Sequence, residues 1–349
     1  MNNLVEDEKT QAINKDKGFV VGVAILRFYM ALMVVLTHLS ERMLTPVGGL
    51  LRLFDGFHVP VFMLLSFLMC AKYFLEPTKE LIIKRVLRIV IPFFFWGIMG
   101  FISMLIIWNV KIDTLLWQLL VGLPANSSLW FLAVTLWIAV IFWLIRLVSN
   151  KKVFIIVISV IGVLAIASQY TGLNFLLFDK LPNSPRFAIG RILEMMPYAA
   201  MGILVSFLLP IIKRFGLKEH LIIFISAGII LAGLLMFDRS IYKDRPQGFG
   251  YSGIFMLVGA FFLVTSAFTN PLNFITNHTF KSVIKWITSF TLGVFCMHLV
   301  LGPFLEMVFI ALSLEIKTGI IGVVTYLVCY LISFLIYLIP CKYTKQLVS

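Results

Sequence analysis
The strongest constraint in this chain is its long, unbroken apolar runs. The first reads FVVGVAILRFYMALMVVLTHL, residues 19–39. Runs of about 17 to 23 residues match the hydrocarbon thickness of a bilayer when coiled as a helix. Only helices and closed barrels satisfy their backbone hydrogen bonds in lipid. A barrel would show short alternating segments, whereas these runs are continuous. Composition agrees: 61% of residues are hydrophobic and 13% charged, where a soluble domain carries about a quarter charged. A water-soluble globular fold is excluded. The expectation is an all-α, polytopic membrane protein of about ten transmembrane helices.

Candidate spans fall at 19–39, 55–74, 86–107, 129–148, 153–169, 190–211, 221–237, 250–268, 283–305 and 319–340. Residues 1–18 and 341–349 read as polar tails flanking a transmembrane domain of 19–340, and the first span reads as retained. With the N-terminus inside, the inner connections and adjoining span ends hold eighteen Lys and Arg and the outer ones ten; Arg27 alone lies more than a turn inside a span. The positive-inside rule then places both termini in the cytoplasm. The net charge of +13 is accounted for by topology and anionic lipid, and no basic-aromatic module points to nucleic acid. The four cysteines (Cys70, Cys296, Cys329 and Cys341) lack metal-ligand spacing and read as small buried side chains. No metal and no tightly bound cofactor are expected.

Charged and polar residues within the runs carry the chemical information. Arg27 and His38 are eleven positions apart. That is three turns plus about 20°, so both occupy one face of a helix, about 16 Å apart along its axis. An arginine in a span costs about 2.5–3.5 kcal/mol on insertion scales, so it is expected to face a cavity or a partner; the plain alternative is snorkelling or an ion pair. Arg85 and Arg88, in KRVLRIVIPFFFW, share a face at the cytoplasmic start of the third span. Paired guanidinium groups suit phosphate, although anchoring at the inner surface would explain them equally. His298 lies deep in the ninth span, followed by Glu306 two turns on. Arg191 and Glu194, at i and i+3, are placed to pair. Trp130 follows NSSL at the start of the fourth span, where an interfacial aromatic is also common.

Taken together, these motifs resemble those of the type-three integral-membrane acyltransferase family, whose members O-acylate cell-surface glycans. Arg27 and His38 match its Arg, ten residues, His signature, and Arg85 and Arg88 its Arg-x-x-Arg pair before Ile-Pro. FHVPVFMLLSFLM, SSLWFL and SFTLGVFCMH resemble three further segments in the expected order. The sequence departs from the pattern at Phe67, which directly follows Ser66 where a glycine is usual, at Ser128 in place of histidine, and at Phe295 in place of tyrosine. The resemblance covers about residues 20 to 340, in a stand-alone form without the C-terminal SGNH domain of some relatives.

The resemblance implies an acyl-CoA co-substrate, acetyl-CoA first among the candidates and succinyl-CoA another. It also implies a glycan or lipid-linked sugar acceptor and a bacterial plasma-membrane location. Arg85, Arg88 and Arg27 are the candidate donor contacts. His38 is the candidate general base, its pKa suited to neutral pH, with Glu41 to orient it; a covalent acyl-His38 intermediate is the variant. Trp130, Glu194 and His298 are the candidate acceptor contacts. Two other classes fit the polar residues. One is a transporter or flippase for a glycan or anionic lipid, for which Pro60, Pro92, Pro197 and Pro303 offer helix breaks. The other is a pH or ligand sensor using His38 and His298.

Overall fold
The computed structural model describes residues 20–39, 56–108, 129–170, 183–241, 254–275, 277–312, 318–339 and 347–348. Thirteen α-helices account for nearly all of them, and there is no strand among the described residues. In chain order they are α1 (Val21–Leu39), α2 (His58–Met69), α3 (Ala71–Leu75), α4 (Lys79–Trp108), α5 (Trp130–Val148), α6 (Lys151–Tyr170), α7 (Asn183–Val205), α8 (Leu209–Ile212), α9 (Leu217–Ile241), α10 (Ile254–Phe268), α11 (His278–Thr288), α12 (Thr291–Ala311) and α13 (Thr318–Leu338). Seven stretches among the described residues are long and apolar enough to cross a membrane, and Val21–Thr37, His58–Met69 and Val300–Ala311 are shorter apolar helices. The protein is an all-helical, polytopic membrane protein.

Three expected spans differ in outline. The second ends at Met69, where Cys70 breaks the helix before the short α3. The sixth ends at Val205, where the Ser206 hydroxyl bonds the Ile203 carbonyl and a turn leads to α8. The ninth is two helices. The hydroxyls of Thr288 and Ser289 donate back to the carbonyls of Ile284 and Lys285, taking up acceptors at the end of α11. A new helix then starts at Thr291. Pro92 and Pro197, by contrast, lie inside continuous helices.

Helices in lipid gain little from the hydrophobic effect against one another, so association rests on close packing and small residues at the contacts. α2 is largely apolar and mostly buried, and Val61, Met63 and Leu64 are completely buried. It lies against α7 so closely that a Cβ at Gly202 would overlap Leu64 O and come within 2.9 Å of Leu68 N. α1 is the hub, packing on α2, α10, α11, α12 and α13. Its start is joined to the end of α10 through Asn273. The Asn273 side chain accepts from Gly22 N at 2.8 Å and donates to the carbonyls of Ala267 and Phe268.

Aromatic contacts fix the helix ends that carry the basic residues. Phe74 of α3 stacks on Phe67 and on Trp143 of α5, both at 5.4 Å. Trp143 Nε1 donates to Tyr73 O, and Arg146 donates to Leu75 O and Ser149 O. Leu347 and Val348 are buried against α4 and α12: Trp96 Nε1 of α4 donates to Leu347 O at 3.0 Å, and a Cβ at Gly293 would stand 3.0 Å from Val348.

Candidate functional site: a basic cavity at one end of the bundle
Arg27 sits two turns into α1, where the hub helix meets α11 and α12. Its Nη2 donates to Thr291 Oγ1, the first residue of α12, at 3.2 Å. Beside this contact is a cavity of about 220 Å³ lined by Arg27, Lys285, Thr288, Ser289 and apolar side chains that include Val23 and Met69. The break between α11 and α12 makes this arrangement possible. It places Lys285, in the last turn of α11, on the cavity that Arg27 also lines, where the negative end of that helix favours a cation. Among the described residues the lining holds two cations and no carboxylate.

Arg85 and Arg88 do not line this cavity. They stand near Cys70, one residue beyond the lining residue Met69. Burial pushes the Cys70 thiol up, and the positive charges of Arg85 and Arg88 pull it the other way. Arg85 is half-buried and Arg88 exposed. Two basic groups therefore stand near the break at Cys70: Arg85 and Arg88 by Cys70 itself, and Arg27 and Lys285 on the cavity that Met69 lines.

From Arg27 the seam between α1 and α12 leads away from the cavity. Thr291 and His298 are seven residues apart, about 20° short of two full turns, so they share a face of α12 about 10 Å apart along its axis. Both helices begin at the cavity and pack together. Along the seam come the Arg27–Thr291 pair, then His298, then the helix position of His38. His298 is completely buried, and its Nδ1 lies 2.7 Å from Phe295 O. A carbonyl only accepts, so Nδ1 is the donor in this contact, and in the neutral tautomer that fits it Nε2 is the basic nitrogen. The side chains of His38 and Glu306, and all of Glu41, lie outside the described residues.

A second group forms where α5 meets α7. Arg191 Nη1 contacts Glu194 Oε2 at 2.7 Å, and the Arg191 guanidinium lies 5.0 Å from the Trp130 ring centre. Next to Trp130, Phe131 touches Phe295, whose ring is 6.2 Å from that of His298. The structure thus links Trp130, Glu194 and His298 through Arg191 and two phenylalanines. Sequence reasoning passed over Lys285, Thr288, Ser289 and Thr291 as site residues, and also His58, which is buried at the start of α2. Lys285 read only as one more inner cation. The signal that could have found it is the polar cluster KWITSFT, where hydroxyls interrupt an apolar run.

A helical membrane bundle with a buried arginine, a basic cavity at one end and a polar seam running inward has the build of an intramembrane enzyme rather than of a simple anchor. The family model described as Acyltransferase domain, type three, matches residues 20–338, and the chain belongs to that family of acyltransferases. No curated protein and no solved structure matches it.

Proposed function
We propose that this membrane acyltransferase moves an acyl group, acetyl or succinyl, from cytoplasmic acyl-CoA to a hydroxyl of a cell-surface or lipid-linked glycan. In this reading it works in the bacterial plasma membrane, with the cavity end facing the cytoplasm. The observation that carries the reading is the Arg27 cavity with its seam. Two cations meet at the end of the helix that bears His38, and His38 lies about 16 Å further along the same helix face. Such a spacing suits a donor whose phosphates stay at the basic end while its thioester reaches inward.

In the proposed step, neutral His38 takes the proton from the acceptor hydroxyl as the sugar oxygen attacks the thioester carbonyl. The tetrahedral intermediate collapses, the carbon–sulfur bond breaks, and the departing CoA thiolate takes the proton back from His38. Glu41 orients the imidazole. Arg85 and Arg88 hold donor phosphate at the surface, while Trp130, Glu194 and His298 meet the acceptor. Flat aromatic faces and a carboxylate are suitable groups for a sugar ring and its hydroxyls.

The test is acyl-CoA turnover by detergent-solubilised protein, followed as free CoA thiol with a panel of glycan acceptors. Acceptor-dependent release by the wild type, abolished in His38→Ala with donor binding retained, is the expected result. A wild type that neither binds nor consumes acyl-CoA would refute the reading.

A further inference from the structure
Two buried histidines stand one turn beyond an aromatic contact between α2 and α12. Phe62 of α2 meets Phe295 of α12 with ring centres 5.9 Å apart, and both rings touch Phe131 of α5. α2 ends and α12 begins beside the basic cavity, so both helices leave it toward the same end of the bundle. His58 precedes Phe62 by four positions and His298 follows Phe295 by three. Each histidine therefore shares the face of its phenylalanine, about one turn further from the cavity. Both are buried, and His58 and Ser66 are the two polar residues of α2.

Reach from the cavity fits the same site. His58 lies eleven positions from Met69, which lines the cavity, and His38 lies eleven from Arg27, which lines it too. Both runs rise about 16 Å. α1 packs on α2 and on α12, so the helix positions of His38, His58 and His298 belong to three mutually touching helices. Ionisable residues inside a membrane bundle are costly and gather at functional interiors. The acyl transfer needs a donor for the negative charge that develops on the thioester oxygen. His298 gives its Nδ1–H to Phe295 O, which leaves an accepting nitrogen in the neutral ring. An imidazole carries at least one N–H in either charge state, and His58 brings one to this level of the bundle.

We propose that His58 is a catalytic residue of the acyl transfer, donating an N–H hydrogen bond to the thioester oxygen as charge develops on it. The proposal rests on the acyl-CoA reading above and adds a second histidine to the chemical step. As the sugar oxygen bonds to the carbonyl carbon, the C=O electron pair moves onto the oxygen. His58 N–H bonds to that oxygen and keeps its proton. When the pair returns, the carbon–sulfur bond breaks, and the thiolate leaves with the proton that His38 took from the sugar hydroxyl.

The test measures kcat and KM for acyl-CoA, CoA affinity by calorimetry and thermal midpoint in wild type, His58→Leu and His58→Gln. Leucine removes the N–H at similar size, and glutamine supplies an amide N–H. His58→Leu is expected to lower kcat about 100-fold or more, with KM and CoA affinity within about threefold of wild type. Glutamine should recover about tenfold of that loss. A merely structural role would lower the thermal midpoint and weaken CoA binding along with kcat, and that pattern overturns the proposal. So does a kcat within about threefold of wild type in His58→Leu, or a glutamine variant no faster than the leucine one. Should His58→Leu not fold, a short bifunctional thiol reagent on His38→Cys/His58→Cys reads the placement by mass spectrometry. A linked peptide supports the shared site, and its absence overturns it. A wild type that consumes no acyl-CoA overturns the acyl-CoA reading and this one together, whereas an active wild type matched by His58→Leu overturns this one alone.

Discussion
Gly202→Ala is the substitution whose effect the packing specifies most closely. The added methyl would overlap Leu64 O and come within 2.9 Å of Leu68 N and 3.0 Å of Phe67 Cβ. The first two are backbone atoms of α2, so no side-chain rotation relieves the overlap. α7 and α2 must separate along an extensive interface. Overpacking of this kind costs about 1–3 kcal/mol, and alanine returns up to about 1 kcal/mol of helix propensity. The net loss is about 1–2 kcal/mol, a fall of about 1–3 °C in thermal midpoint for a chain of 349 residues. The assay is thermal unfolding in one detergent, with Gly228→Ala as the internal control. Gly228 has nothing within 4 Å of its added methyl, so that variant keeps the propensity gain without the clash. It should melt at or slightly above the wild-type temperature. Equal midpoints for the two variants would refute the close α2–α7 contact.

Other consequences can be checked separately. Thr291→Val removes the acceptor of Arg27 Nη2 at nearly constant volume; on the proposed reading the donor KM rises about five- to tenfold with kcat little changed, since a hydrogen bond to a charged group contributes about 1.5–3 kcal/mol and this one is long, and Thr291→Ser restores it. An unchanged KM would separate Thr291 from the donor site. Alkylation of Cys70 should slow in Arg85→Ala/Arg88→Ala, because removing the cations that draw the thiol down lets burial raise it further and lowers its thiolate fraction at a given pH. Mass spectrometry at Cys70 reads the rate, and no change would place the two arginines away from it. Arg191→Ala leaves the Glu194 carboxylate without its partner and Trp130 without its cation. Because both side chains are partly exposed, the expected loss is about 1–2 kcal/mol in thermal unfolding, and Glu194→Gln in the same background should recover part of it. Trp96→Phe keeps the ring and removes the bond to Leu347 O, so amide exchange at Leu347 and Val348 should quicken, reporting a loss of about 1 kcal/mol.

The linear sequence by itself determined the class of fold, because the bilayer leaves so few options. Every backbone group in lipid must be bonded within its own segment, so a run such as 129–148 reads directly as α5 with a shift of one residue at its start. Spacing along one helix was equally legible: Arg27 and His38 share a face whatever the rest of the bundle does. The Arg191–Glu194 pair at i and i+3 was legible for the same reason, and it forms.

Tertiary structure alone decided which helices meet and what stands between them. The split of the ninth span at Ser289 depends on hydroxyls competing for carbonyls at a helix end, a local balance that hydropathy does not register. That split carries Lys285 to Arg27, more than 250 positions away in the chain, while Arg85 and Arg88 are directed to Cys70 instead. The link from Arg191 through Trp130 and Phe131 to His298 joins three helices. In lipid, apolar faces are nearly interchangeable as partners, and the choice among them falls to close fits such as Gly202 against α2. Hydrophobicity therefore sets where each helix begins and ends, and shape and a few polar contacts set which residues come together as a site.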